Sequence, residues 1–116
     1  MKTPHRALAA LFCIAFLFVS CGGSEEVSDF VPPADESYPA QQVEQGQAIY
    51  QRYCQSCHKA DGSGQVGPNI RQVWERLSFE EEVEVVAGGR NQMPKFEQTL
   101  TPEEIEDVVA YTRVGW

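Results

Sequence analysis

Five consecutive residues, Cys54-Gln55-Ser56-Cys57-His58, bring two thiols and an imidazole together. Thiols three positions apart can add to the two vinyl groups of a haem, and the histidine that follows falls under the iron as its proximal ligand. Two other chemistries use the same residue types. A thioredoxin-like Cys-x-x-Cys belongs in a βαβ context, and nothing around residues 40–60 reads as a strand. A structural zinc site needs four Cys or His ligands, whereas Cys13 lies in a segment expected to be removed and Cys21 in a stretch expected to be flexible. Haem attachment through Cys54 and Cys57, with His58 on the iron, is the expectation that remains.

The rest of the inventory is small. The chain has two histidines, His5 and His58, and two methionines, Met1 and Met93, so loss of the N-terminus leaves one of each. A second histidine is then excluded as the other axial ligand, as is a free histidine for general-base work or a Ser-His pair. Methionine is commonly a gap-filler in cores. Met93, however, is the remaining thioether and lies in the turn-like stretch Gly88-Gly89-Arg90-Asn91-Gln92-Met93-Pro94, 35 residues after His58, where a loop can cross to the far side of a haem. Its sulfur is the expected sixth ligand, giving a His/Met iron of raised potential.

Helices must position these groups. Gly46, Ile49, Tyr50 and Tyr53 fall at helical spacing between Gln42 and Tyr53, which delivers Cys54 at the helix end. Gly62, Gly64, Gly67 and Pro68 force a loop. Ser78-x-x-Glu81 is a capping box before Phe79, Val83, Val85 and Val86, with Gly88 as the stop. Thr101-Pro102-x-Glu104 opens a last helix carrying Ile105, Val108, Val109 and Thr112 at i, i+3, i+4 and i+7. No stretch alternates, so the domain is expected to be all-α, three main helices and loops around the cofactor. Gly46 should let the first helix approach the last near Tyr111. Glu80, Glu81, Glu82 and Glu84 read as a solvated, dipole-favoured face. Arg71, Trp74 and Arg90 are candidates for holding haem propionates; Trp116 has no role assigned.

The N-terminus speaks to compartment. Lys2 and Arg6 precede a 13-residue apolar run, Ala7 to Val19, too short to span a bilayer and suited to an export signal. Phe18-Val19-Ser20-Cys21-Gly22 resembles the lipobox of bacterial lipoproteins, which implies cleavage before Cys21 and its acylation. Residues 22–40, rich in Gly, Ser, Pro and acid, read as a disordered tether. The expected organisation is a signal over 1–20, a lipid-anchored tether over 21–40 and a domain over 41–116. That domain holds 28 apolar residues in 76. A core this lean rarely supplies more than about 3–5 kcal/mol, so a large cofactor should complete it. From Cys21 onward 7 basic residues face 17 acidic ones, which excludes a nucleic-acid partner.

Residues 42–116 resemble a class I cytochrome c domain of the short bacterial type. The resemblance is carried by Gly46-x-x-x-Tyr50, Cys54-x-x-Cys57-His58, Gly67-Pro68-Asn69-Ile70, Met93-Pro94-x-Phe96 and the helix from Leu100-Thr101-Pro102 through Tyr111. It implies the cytochrome c fold, one covalent haem c, and a Pro68 carbonyl accepting a hydrogen bond from the proximal imidazole. The stretch between Pro68 and Met93 is short for that family. The expected function is one-electron transfer, without enzymatic activity, between donor and acceptor redox proteins of an extracytoplasmic respiratory or photosynthetic chain, by a monomer held at the membrane through Cys21. The alternative is a haem-based gas sensor or weak catalyst in which Met93 leaves the iron.

Overall fold

In a computed structural model the described residues are 32–116; Cys13, Cys21 and the expected signal lie outside them. Among the described residues four α-helices occur in chain order: α1, Ala40–Tyr53; the single turn α2, Gln55–His58; α3, Phe79–Gly88; and α4, Pro102–Val114. A 3₁₀ turn, Val73–Glu75, precedes α3, and no strand occurs among the described residues. The fold is thus all-α with three main helices, as expected.

Local chemistry sets the helix boundaries. Ser78 and Thr101 each accept from the backbone N–H three residues on, and Glu81 and Glu104 reach back to the Ser78 and Thr101 N–H at 2.8 Å. Both boxes therefore satisfy two orphan donors apiece. The stop of α3 is Gly89 rather than Gly88. Gly89 takes φ +71°, and its N–H bonds to the Val85 carbonyl at 2.9 Å.

Helices α1 and α4 cross at Gly46. A Cβ there would lie 2.0 Å from the Asp107 carbonyl oxygen and 2.9 Å from the Tyr111 Cβ, so the two backbones touch. Beneath the crossing Tyr50, Val108 and Tyr111 form one buried cluster; Phe96, Leu100 and Ile105 form a second, against which Met93 packs. Trp116 acquires a place. Its ring stands edge-on to Tyr50 with centroids 5.0 Å apart, and its Nε1 donates to the Thr112 carbonyl at 2.8 Å.

Two expectations are corrected. The tether was expected to run to residue 40 without structure, but α1 begins at Ala40, and Glu36 and Tyr38, among the described residues before it, are docked. Tyr38 stacks on Phe79 with centroids 5.7 Å apart and donates to Glu36 at 2.7 Å, and Glu36 pairs with Arg113 of α4. Nor are all four glutamates of α3 solvated. Glu82 is 5% exposed, because it shares the inward stripe of Phe79, Val83 and Val86 and meets Thr112 and Arg113 on α4.

Candidate functional site

The Cys54–His58 segment is positioned by helix ends. The Cys54 N–H bonds back to the Tyr50 carbonyl at 2.9 Å as α1 closes, and α2 starts at once with the His58 N–H bonded to the Cys54 carbonyl at 3.0 Å. One helical turn therefore holds both thiols and the imidazole. Tyr50, fully buried, donates to the Lys59 carbonyl at 2.6 Å and ties the far end of that turn to the core. Burial first, with Cys57 second, pushes the Cys54 thiol up to about 12, so without a bound cofactor it is held as the thiol.

The loop after His58 folds back over the imidazole. Gly64 N–H bonds to the His58 carbonyl at 3.0 Å and Gly67 N–H to the Cys57 carbonyl at 2.9 Å, which brings Pro68 beside the ring. His58 Nδ1 lies 2.8 Å from the Pro68 carbonyl oxygen. A carbonyl only accepts, so Nδ1 carries the proton and the lone pair is on Nε2, the nitrogen left for a metal. The ring is clamped from its side as well: a Cβ on Gly67 would lie 2.6 Å from His58 Cε1.

Cys54, Cys57, His58, Pro68 and Met93 all line one cleft of about 910 Å³. That volume is at the upper end of the range for small-molecule sites, about 300–1,000 Å³. Its wall is largely apolar, with Tyr53, Ile70, Val73, Val86 and Phe96 among the lining residues. The donor set, the volume and the imidazole with its outer nitrogen already bonded fit a haem held by two thioethers. No cluster of three or more His, Cys, Asp or Glu able to hold a bare metal ion occurs among the described residues.

At the rim the expectations separate. Arg90 lines the cleft, but Arg71 and Trp74 do not. Arg76 does, with its Nη2 donating to the Asn69 carbonyl at 3.0 Å. Sequence reasoning passed over Arg76 because it stands on an irregular turn with no periodicity to place it. Two further polar residues of the wall, Glu82 and Thr112, were also missed as cleft groups. Their helical spacing carried the signal, since each continues an apolar stripe of its own helix.

Comparison with known proteins agrees with this geometry. Residues 41–111 match the family described as cytochrome c oxidase, cbb3-type, subunit III. Cytochrome c-551 of Bacillus subtilis is 25% identical over 82% of this chain and 83% of its own length. Cytochrome c-555 of Methylococcus capsulatus is 37% identical over 78% of this chain and 72% of its own. The crystal structure of cytochrome c6 from the diatom Phaeodactylum tricornutum superimposes with a TM-score of 0.53 at 29% identity, covering 60% of this chain and 88% of that one. The chain spans about half the length of the longer cytochromes cL on which it also superimposes.

Proposed function

As the chain belongs to the family of cytochrome c oxidase, cbb3-type, subunit III, and is a class I mono-haem c-type cytochrome, we propose that it works as a membrane-tethered one-electron carrier with His58 and Met93 as axial ligands. It carries one covalently bound haem c, whose iron supplies one-electron chemistry, and it is an electron carrier rather than an enzyme. Cys54 and Cys57 fix the cofactor. Pro68, through its carbonyl, orients the imidazole and holds the proton on Nδ1. Met93 would supply the second iron ligand from the same cleft, and the apolar wall would exclude water. An iron held by both His58 and Met93 would exchange electrons without binding substrate.

The observation that carries this reading is the convergence of Cys54, Cys57, His58 and Met93 on one apolar cleft, with Nδ1 of His58 already committed to Pro68. An optical spectrum of the ferrous protein with and without carbon monoxide tests it. Wild type is expected to leave carbon monoxide unbound and Met93→Ala to bind it. Ready binding by wild type would overturn the carrier in favour of a gas-binding haem protein.

Export and acylation at Cys21 belong to the same proposal and are supported by the basic, apolar and lipobox-like succession of the first 22 residues. A tether beginning at Cys21 keeps the domain at high local concentration beside membrane redox complexes. The excess of acid suggests basic docking sites on the donor and the acceptor and rates that fall with salt.

A further inference from the structure

Glu82 is a carboxylate inside the cofactor cleft. It lines the same cleft as His58 and Met93, it is 5% exposed, and Thr112, which also lines that cleft, is its neighbour. The charged groups that face it come from three elements. Arg113 of α4 donates from Nη1 to Glu82 Oε2 at 3.1 Å and from the same nitrogen to the Leu77 carbonyl at 3.1 Å. Arg113 Nε and Nη2 both serve Glu36, in the segment before α1, and Tyr38 adds its hydroxyl to Glu36. From the loops, Arg76 and Arg90 reach the rim of the cleft.

One guanidinium thus stands between two carboxylates, and it is divided unequally. Glu36 takes two of its nitrogens and Glu82 a single one, already shared with a carbonyl. The triad keeps one uncompensated negative charge, and Glu82 is its weakly held end. The directions agree: Arg113 holds Glu36 below the usual carboxylate range, while burial pushes Glu82 up.

Thr112 equips Glu82 for both protonation states. Its hydroxyl oxygen lies 2.6 Å from Glu82 Oε1 and 2.8 Å from the Val109 carbonyl oxygen. When Glu82 is ionised, the hydroxyl proton points to Oε1. When Glu82 is protonated on Oε1, it donates to the Thr112 oxygen, and the threonine proton turns to the Val109 carbonyl. Neither state leaves a buried polar atom unpaired, and no side chain has to move.

We propose that Glu82 takes up a proton when the haem iron is reduced, so that this protein couples electron transfer to proton binding. Ferric iron, one electron and Glu82 carboxylate plus one solvent proton become ferrous iron and Glu82 carboxylic acid. The electron comes from the donor redox protein. Reduction removes one positive charge from the cofactor, and in a low-dielectric cleft the nearby carboxylate loses the attraction that kept it ionised.

The inference rests on the electron-carrier reading and is tested by spectroelectrochemical titration of the holoprotein across pH. Wild type is expected to show a midpoint that falls as pH rises through a window of Glu82 titration, by at most a tenfold change in the ferric-to-ferrous equilibrium per pH unit, about 59 mV for one electron. Glu82→Gln, which keeps the size and cannot ionise, is expected to flatten that window at the higher potential. Glu36→Gln frees Arg113 for Glu82 and is expected to move the window to lower pH. Where Glu82→Gln yields no folded protein, the Glu36→Gln shift decides. A flat wild-type profile, a slope retained by Glu82→Gln, or a window that Glu36→Gln leaves in place would overturn the proposal. A retained slope would point to the propionates instead. Carbon monoxide binding by wild type would sink the carrier reading, yet the pH profile would still be read, since it needs only the iron and the carboxylate.

Discussion

Gly46 of α1 presses on the main-chain carbonyl of Asp107 in α4, at a distance that leaves no room for a methyl group. Alanine there favours the helix by about 1 kcal/mol relative to glycine, but the obstacle is backbone and cannot swing aside. Gly46→Ala is therefore expected to destabilise the holoprotein by about 1–3 kcal/mol, as overpacking does. Denaturant unfolding followed by circular dichroism gives the value; a stabilised variant would show that the crossing is looser than it looks.

A second glycine guards the site itself. The Gly67 Cα faces the His58 ring, and a side chain there would displace the imidazole and loosen its bond to the Pro68 carbonyl. Supporting groups of this kind are worth about 10–100-fold in affinity or activity at metal sites. Gly67→Ala is expected to change the ligand-field signature of the ferric iron in electron paramagnetic resonance. An unchanged spectrum would mean that the loop gives way instead of the ring.

The Arg113 pairings make the fold sensitive to acid. Glu36 is held below the ordinary carboxylate range by Arg113, so its stabilisation is fully present above the unfolded value, about 4.3, and is lost as pH falls through the folded value. Glu82 is shifted upward and works the other way, weakening the fold as pH rises from the unfolded value toward the folded one. Glu36→Gln should thus remove part of the stability loss seen below about pH 4, measured as thermal midpoints against pH. Arg113→Ala leaves the two carboxylates without their cation and should cost about 3–5 kcal/mol at neutral pH, the usual cost of breaking a buried pair from one side.

Much of this was legible in the chain, where the signal was local. The boxes at Ser78 and Thr101 span four residues each, and the Cys54–His58 motif spans five, so no distant partner is needed to read them. The Arg113 cluster was not, because its partners are 31 and 77 residues away. Charge alone made the glutamates of α3 look alike, and only their phase separates Glu82, in register with Phe79 and Val86, from Glu80, Glu81 and Glu84. Trp116 follows the same logic. It lies one turn past Thr112 on the inward stripe of α4, a continuation hidden by the end of the helix at Val114.

Anchoring can be tested without reference to the fold. Cys21→Ser is expected to move the holoprotein from the membrane fraction to the soluble extracytoplasmic fraction, read by haem staining of the fractions. Retention at the membrane would require some other attachment.

The helix crossing has a kinetic corollary. Gly46 and Asp107 are about sixty residues apart, so the contact can form only by closing a long loop, and closure entropy grows with loop length. In the proposed holoprotein, a porphyrin joined early to Cys54 and Cys57 would give α3 and the Met93 stretch a surface on which to condense. The prosthetic group would then serve as a folding template that shortens the remaining search, as well as the seat of the redox chemistry.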